Sequence, residues 1–262
     1  MALIHIGFFS DVLGMCTSCD VILPQKSSKL IGMETGARDD GAHPVLWLLH
    51  GASDDHTIWQ RRTSIERYVA DKALAVVMPT THLGWYTDMY IGYKYWTFIS
   101  QELPAICRRF FPMMSDRRED TFAAGLSMGG YGAFKCGLLA PETFSCCASL
   151  SGALDVGEIC REKILSNEDL FYDIFGPADQ VAGGENDLFA AAERLAASDR
   201  PKPRMYMWCG TEDFLYKENV HMRDHLKALH YDLTYEESTG NHNWGCWDQK
   251  IQSILSWLPL GR

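Results

Sequence analysis

The chain has 262 residues, of which 47% are hydrophobic and 22% charged, and a formal net charge of −10. This length suits one α/β domain with a full core. The acidic balance excludes a nucleic-acid partner, whose phosphates demand a basic face. No run of 18 apolar residues offers a membrane span.

The first 23 residues alternate in character and predict two antiparallel strands, roughly Ala2–Met15 and Cys16–Leu23. Residues 26–43 are polar and Gly-rich, hence a loop. A strand over 44–49 follows, then a helix over about 59–71 and a strand over 73–78. Tyr95–Phe111 reads as a helix in which Pro104 makes a kink or break. A strand over 121–125 leads into a helix over 128–140, and a strand over 145–150 comes next. A mixed segment spans about 154–203. The last units are a strand over 205–209, a helix over 215–230, a strand over 232–237 and a helix over 247–258. Strands that alternate with helical lengths imply a mostly parallel sheet covered on both faces, here with an N-terminal antiparallel hairpin. The whole of 1–262 is read as one domain, with 154–203 as a lid-like helical insertion.

The chemistry gathers on three loops. Thr121–Gly132 contains Gly125-Leu126-Ser127-Met128-Gly129, a G-x-S-x-G turn between a strand and a helix. That context is a nucleophile elbow, which lifts one serine hydroxyl clear of the sheet edge. A serine needs a base, and the base an orienting acid, in the chain order Ser, Asp or Glu, His. Asp213 follows the strand Met205–Gly210, and His242 lies on a Gly-containing loop after the last strand. Asp213 also suits helix capping, and its neighbour Glu212 is the rival acid. His50-Gly51 ends the strand over 44–49, where folds built on a nucleophile elbow begin the loop that supplies an oxyanion donor. The expected donors are the backbone N–H groups of Ala52 and Met128, with His50 itself structural.

Other groups read as structural. His221, His225 and His230 form a solvated helix face, and no metal is expected. Cys16-Thr17-Ser18-Cys19 matches C-x-x-C, but it lies in strands and has no second pair. Nine cysteines, an odd count, fit reduced thiols. The N-terminus lacks a basic region before its short apolar stretch, so the expected compartment is cytoplasmic. The aromatic run Gly84–Trp96 sits at the active edge and serves either a pocket wall or packing. Trp85, Tyr86 and Trp244 are the candidate substrate contacts.

These residues resemble the tributyrin esterases, within the wider esterase D-like group of α/β hydrolases. The likeness rests on His50-Gly51, Trp59, Arg62–Arg67, Trp85–Met89, Gly125–Gly132 and Gly240–Trp244, in order along residues 45–258. It implies a serine carboxylesterase for short acyl chains, without a cofactor. The nucleophile falls on Ser127, the acid on Asp213, the base on His242 and the oxyanion donors on Ala52 and Met128. Relatives of that kind include S-formylglutathione hydrolases, feruloyl and acetyl-xylan esterases and acyl transferases, and homodimers or homotetramers are frequent. A small-molecule ester is therefore the expected partner, and a non-catalytic binding module is the remote alternative. One departure is Asp54-Asp55, where the family pattern places another glycine.

Overall fold

The computed structural model describes residues 1–29, 31–32, 35–37, 42–165 and 169–260. Part of the expected loop at 26–43, and residues 166–168 of the expected insertion, lie outside the described residues.

Strand β1 (Ala2–Ser10) and β2 (Met15–Leu23) form the antiparallel hairpin, closed by Gly14 at φ 67°. Along β1, Ile4, Ile6 and Phe8 pack inward while Leu3, His5 and Phe9 face out, the pattern of an edge strand covered on one side. Six further strands follow: β3 (Val45–Leu49), β4 (Ala75–Pro79), β5 (Thr121–Leu126), β6 (Cys146–Leu150), β7 (Arg204–Gly210) and β8 (Leu233–Ser238). They complete an eight-stranded sheet in the order β1-β2-β4-β3-β5-β6-β7-β8. Pairings from β4 to β8 are parallel. Every residue of β3, β4, β5 and β6 is buried, as expected for parallel strands covered on both faces.

The expected helix over 59–71 is two short ones, α1 (Ile58–Arg62) and α2 (Ile65–Tyr68). Thr63 breaks it: its hydroxyl donates to Trp59 O and accepts Ile65 N–H, and its backbone is extended. This is the usual competition of a Thr side chain with the helix ladder. The expected helix Tyr95–Phe111 is α3 (Tyr95–Thr97), a π-helical turn over Phe98–Glu102 and α4 (Leu103–Phe110). Pro104 sits in the first turn of α4, where its missing N–H is not needed, so the wide turn before it replaces a kink.

Helix α5 (Met128–Leu139) is buried nearly throughout and packs on β5 and β6. The insertion holds α6 (Val156–Leu165), α7 (Asp169–Phe175), α8 (Ala178–Val181) and α9 (Leu188–Ala196). It is stitched to the aromatic loop and to α5. Tyr90 N–H and Ile91 N–H donate to Ile174 O and Asp173 O, and Tyr131 Oη donates to Asn186 O at 2.8 Å. The fully buried Lys135 donates to Thr87 Oγ1 and Asn186 Oδ1, both at 2.7 Å. Desolvation pushes its ammonium down to about 7. Helices α10 (Tyr216–Ala228) and α11 (Trp244–Trp257) close the chain. The last begins three residues before the predicted start, because the Asn243 side chain caps it by accepting Cys246 N–H.

The chain leaves β3 for β4 on one side and returns to β5 on the other. The crevice at the carboxyl ends of β3 and β5 is therefore the topological switch point of an α/β-hydrolase sheet, where ligands bind in open α/β folds.

Candidate active site

Ser127 stands at that crevice. It joins β5 to α5 with φ 53° and ψ −121°, a conformation L-residues adopt only when their surroundings enforce it. Two glycines permit the turn. A Cβ on Gly125 would lie 2.3 Å from Gly129 O, and one on Gly129 would lie 2.5 Å from Leu49 O. Strand and helix thus approach at backbone contact, and the serine is pushed outward.

The loops after β7 and β8 are zipped together. Glu212 N–H donates to Gly240 O, and Gly240 N–H donates back to the Glu212 carboxylate. Glu212 therefore holds the loop, and Asp213, not Glu212, meets the histidine. His242 Nδ1 lies 2.9 Å from Asp213 Oδ2, and His242 Nε2 lies 3.1 Å from Ser127 Oγ. Asp213 Oδ1 also accepts Leu215 N–H at 2.9 Å, so the carboxylate shapes the turn into α10 as well. The Asp213 side chain is fully buried. Burial opposes its charge, yet hydrogen bonds from His242 and Leu215 outweigh this and hold the carboxyl below its ordinary value. The His242 ring sits between Phe214 and Trp247, at 4.6 and 4.8 Å between centroids.

The loop expected to supply an oxyanion donor lies alongside. A Cβ on Gly51 would be 3.7 Å from Ser127 Cβ, which places Gly51-Ala52 against the elbow. Met128 N–H is the first amide of α5, a position that leaves it without an intrahelical acceptor. His50 is a brace: Nδ1 donates to Gly51 O at 2.7 Å, and Nε2 accepts Thr81 N–H at 3.0 Å. Burial drives it down to about 4, so it stays neutral. Asp55 accepts from both Thr57 N–H and Thr57 Oγ1, which outweighs its burial and keeps its carboxyl low. Burial, and then Asp55, raise Asp54 above its ordinary value.

A cavity of about 800 Å³ opens at Ser127. Trp85, Ile159, Phe171 and Phe214 give it apolar walls, while Glu158, Lys217 and His221 are charged or titratable groups on its lining. Trp85 is on this lining, packed edge-on against Phe171 and Phe175. Tyr86 and Trp244 are not brought into the lining. Tyr86 is fully buried with its hydroxyl donating to His50 O at 2.8 Å, and Trp244 packs against Trp59 and Trp247. His225 is not on a solvated face: its ring packs on Phe189 and reaches Phe189 O. Cys16 and Cys19 lie within β2, as expected, and all nine cysteines are free.

Sequence reasoning missed the α10 contribution to the cavity. Lys217 and His221 lie four residues apart on one face of α10, with Phe214 in the turn just before it, the spacing that could have revealed it. It also missed Ser151, buried with φ 48° at the end of β6. Its hydroxyl accepts Trp247 Nε1–H at 3.2 Å and helps hold the Asp213 carboxyl below its ordinary value.

Residues 11–258 match the family described as "Putative esterase". The chain belongs to this esterase family. An acetyl esterase from Caldicellulosiruptor saccharolyticus is 30% identical over 265 residues, covering 98% of each chain. A fluorophosphonate-binding serine hydrolase from Staphylococcus aureus superposes with a TM-score of 0.88 at 32% identity, covering 100% of this chain and 99% of that one. An S-formylglutathione hydrolase from Staphylococcus aureus superposes with a TM-score of 0.84 at 32% identity, covering 98% of each. The esterase is of the serine-hydrolase type. No helix among its described residues is long and apolar enough to cross a membrane.

Proposed function

We propose that the esterase hydrolyses short-chain acyl esters through an acyl-enzyme on Ser127. The observation that carries this reading is the continuous chain from Ser127 Oγ through His242 to Asp213, with contacts of 3.1 and 2.9 Å. His242 Nε2 accepts the hydroxyl proton as Ser127 attacks the acyl carbon. Asp213 fixes the tautomer with Nε2 bare and stabilises the imidazolium that forms. The N–H groups of Ala52 and Met128 receive the oxyanion, each worth about 3 kcal/mol of barrier. The imidazolium then protonates the departing alkoxide, and water enters to repeat the sequence on the acyl-enzyme. No cofactor takes part.

The acetyl esterase relative supports a small acyl group. A cavity of about 800 Å³ far exceeds an acetyl group and leaves room for a bulky leaving group. A second reading follows from its lining: apolar rings beside Glu158, Lys217 and His221 suit a polar leaving group, such as a sugar alcohol or the glutathione thiol of the S-formylglutathione hydrolase relative. In either case we place the esterase in the cytoplasm, a reading that nine free thiols support, and as a homo-oligomer, which the family resemblance suggests. Helices α6–α9 then act as the lid of a single domain.

The test is turnover of p-nitrophenyl esters from acetate to octanoate, beside Ser127→Ala. Turnover that peaks at acetate or butyrate and is abolished in the variant supports the proposal. A maximum at octanoate removes the short-chain assignment, and unchanged activity in Ser127→Ala removes the nucleophile.

A further inference from the structure

A second cluster of ligating side chains lies on the sheet edge remote from the β7 and β8 loops. His5 on β1 and Asp20 on β2 are direct cross-strand partners, and His5 Nδ1 lies 2.7 Å from Asp20 Oδ1. His56, from the loop after β3, places its ring 4.9 Å from that of His5, centroid to centroid. One potential ligand atom from each of the three residues falls within 4.8 Å of the others.

We propose that His5, Asp20 and His56 form a binding site for a divalent first-row transition-metal ion of the Zn²⁺ class. Two imidazoles and one carboxylate are the donor set such ions take, with a water completing a four-coordinate shell. Mg²⁺ and Ca²⁺ seek shells made almost wholly of oxygen, which two imidazoles do not provide.

The surroundings are those of a supported site. Metal-binding histidines and carboxylates are generally oriented by an outer hydrogen bond. His56 Nδ1 is 2.6 Å from Thr80 Oγ1; with Nδ1–H donating there, Nε2 presents its lone pair. The His56 backbone N–H is tied to the same Thr80 oxygen at 2.9 Å, which fixes the loop beneath the ring. Asp20 is buried, and its second oxygen accepts Gln60 Nε2–H at 3.0 Å. His5 is 60% exposed, which gives an ion a path in from solvent.

The site has a mechanical consequence. It bridges the N-terminal hairpin to the loop whose first residues, Gly51-Ala52, lie against Ser127. A bound ion therefore cross-links β1 and β2 to the oxyanion loop and stabilises the folded state by mass action.

The test is a titration of untagged, chelator-stripped protein with ZnCl₂, read by calorimetry and by thermal unfolding. The expected result is one tight equivalent and a raised Tm. His5→Ala and His56→Ala should each weaken binding at least tenfold and remove the Tm shift. His5 is exposed and His56 is half-buried on a loop, so these variants disturb the core less than Asp20→Asn, and circular dichroism of each confirms the fold before titration. A His242→Ala control should bind Zn²⁺ as the wild type does. Absence of binding at micromolar Zn²⁺, binding indifferent to His5 and His56, or binding lost in His242→Ala overturns the site and leaves a hydrogen-bonded cluster.

Discussion

His242 and Asp213 meet through a forked contact, with Nδ1 lying 2.9 Å from Oδ2 and 3.1 Å from Oδ1. The ionised carboxylate can only accept, whereas an amide in its place can present a donor toward Nδ1. Asp213→Asn should therefore turn the imidazole to the wrong tautomer and lower kcat by about 10⁴, with KM little changed. Steady-state kinetics on p-nitrophenyl acetate checks this. A loss below tenfold would mean that Asp213 does not orient the base.

Ser151 holds the acid from behind. Its hydroxyl accepts from Trp247 Nε1, and it also reaches the Asp213 carboxylate. Trp247 in turn stands edge-on to the His242 ring. Ser151→Ala leaves a buried indole N–H without its acceptor and removes a hydroxyl that favours the ionised Asp213. One such bond is worth about 1 to 1.5 kcal/mol, so kcat should fall about tenfold. Ser151→Thr keeps the hydroxyl and should recover part of the loss, which a purely steric role for this position would not produce.

The sequence announced the elbow because a G-x-S-x-G turn between a strand and a helix has few other uses. Asp213 was legible because it follows the buried apolar strand β7, and His242 because it follows β8, the next parallel strand, so that topology alone carries both to one edge. The Thr63 break was not, since a hydroxyl that back-bonds to its own helix looks in sequence like any surface threonine. Tyr86 shows another limit. Composition marks it as aromatic at the active edge, yet its direction depends on positive φ angles at both Trp85 and Tyr86, which turn its hydroxyl onto His50 O. His5, Asp20 and His56 lie far apart in the chain. Only the hairpin register and the return of the β3 loop bring them together. Lys135 is another case: nothing in a helix of small and apolar residues foretells a fully buried ammonium held by Thr87 and Asn186.

Gly125 offers a test of the elbow that touches no reacting group. In Gly125→Ala the new methyl carbon would sit 2.3 Å from Gly129 O, a backbone atom that cannot turn aside. Helix α5 must move outward, and Met128 N–H moves with it. Overpacking of this kind costs about 1 to 3 kcal/mol. In a chain of this size the expected outcome is a Tm lowered by about 2 to 12 °C. Activity should fall further than the folded fraction accounts for, because the oxyanion donor is displaced. Calorimetry beside initial rates at 20 °C separates the two effects.

His50 should leave a signature in the acid stability of the fold. Its ring is buried between two hydrogen bonds, Nδ1–H to Gly51 O and Thr81 N–H to Nε2, and the second requires the neutral form. Desolvation moves it from an ordinary 6.5 down to about 4. The unfolded chain therefore takes up this proton near pH 6.5, and the folded protein only near pH 4. Between those values the unfolded state binds more protons, so stability falls as the pH falls. The His50 contribution is complete above pH 6.5 and lost by pH 4. At about 1.4 kcal/mol per unit it amounts to about 3 kcal/mol across the window. His50→Gln keeps a donor and an acceptor but does not titrate. Urea midpoints at pH 7 and pH 5 should therefore differ strongly in the wild type and much less in the variant. Equal pH dependence in the two proteins would mean that another group sets the acid limit, and that His50 is not held neutral by its burial beneath the oxyanion loop.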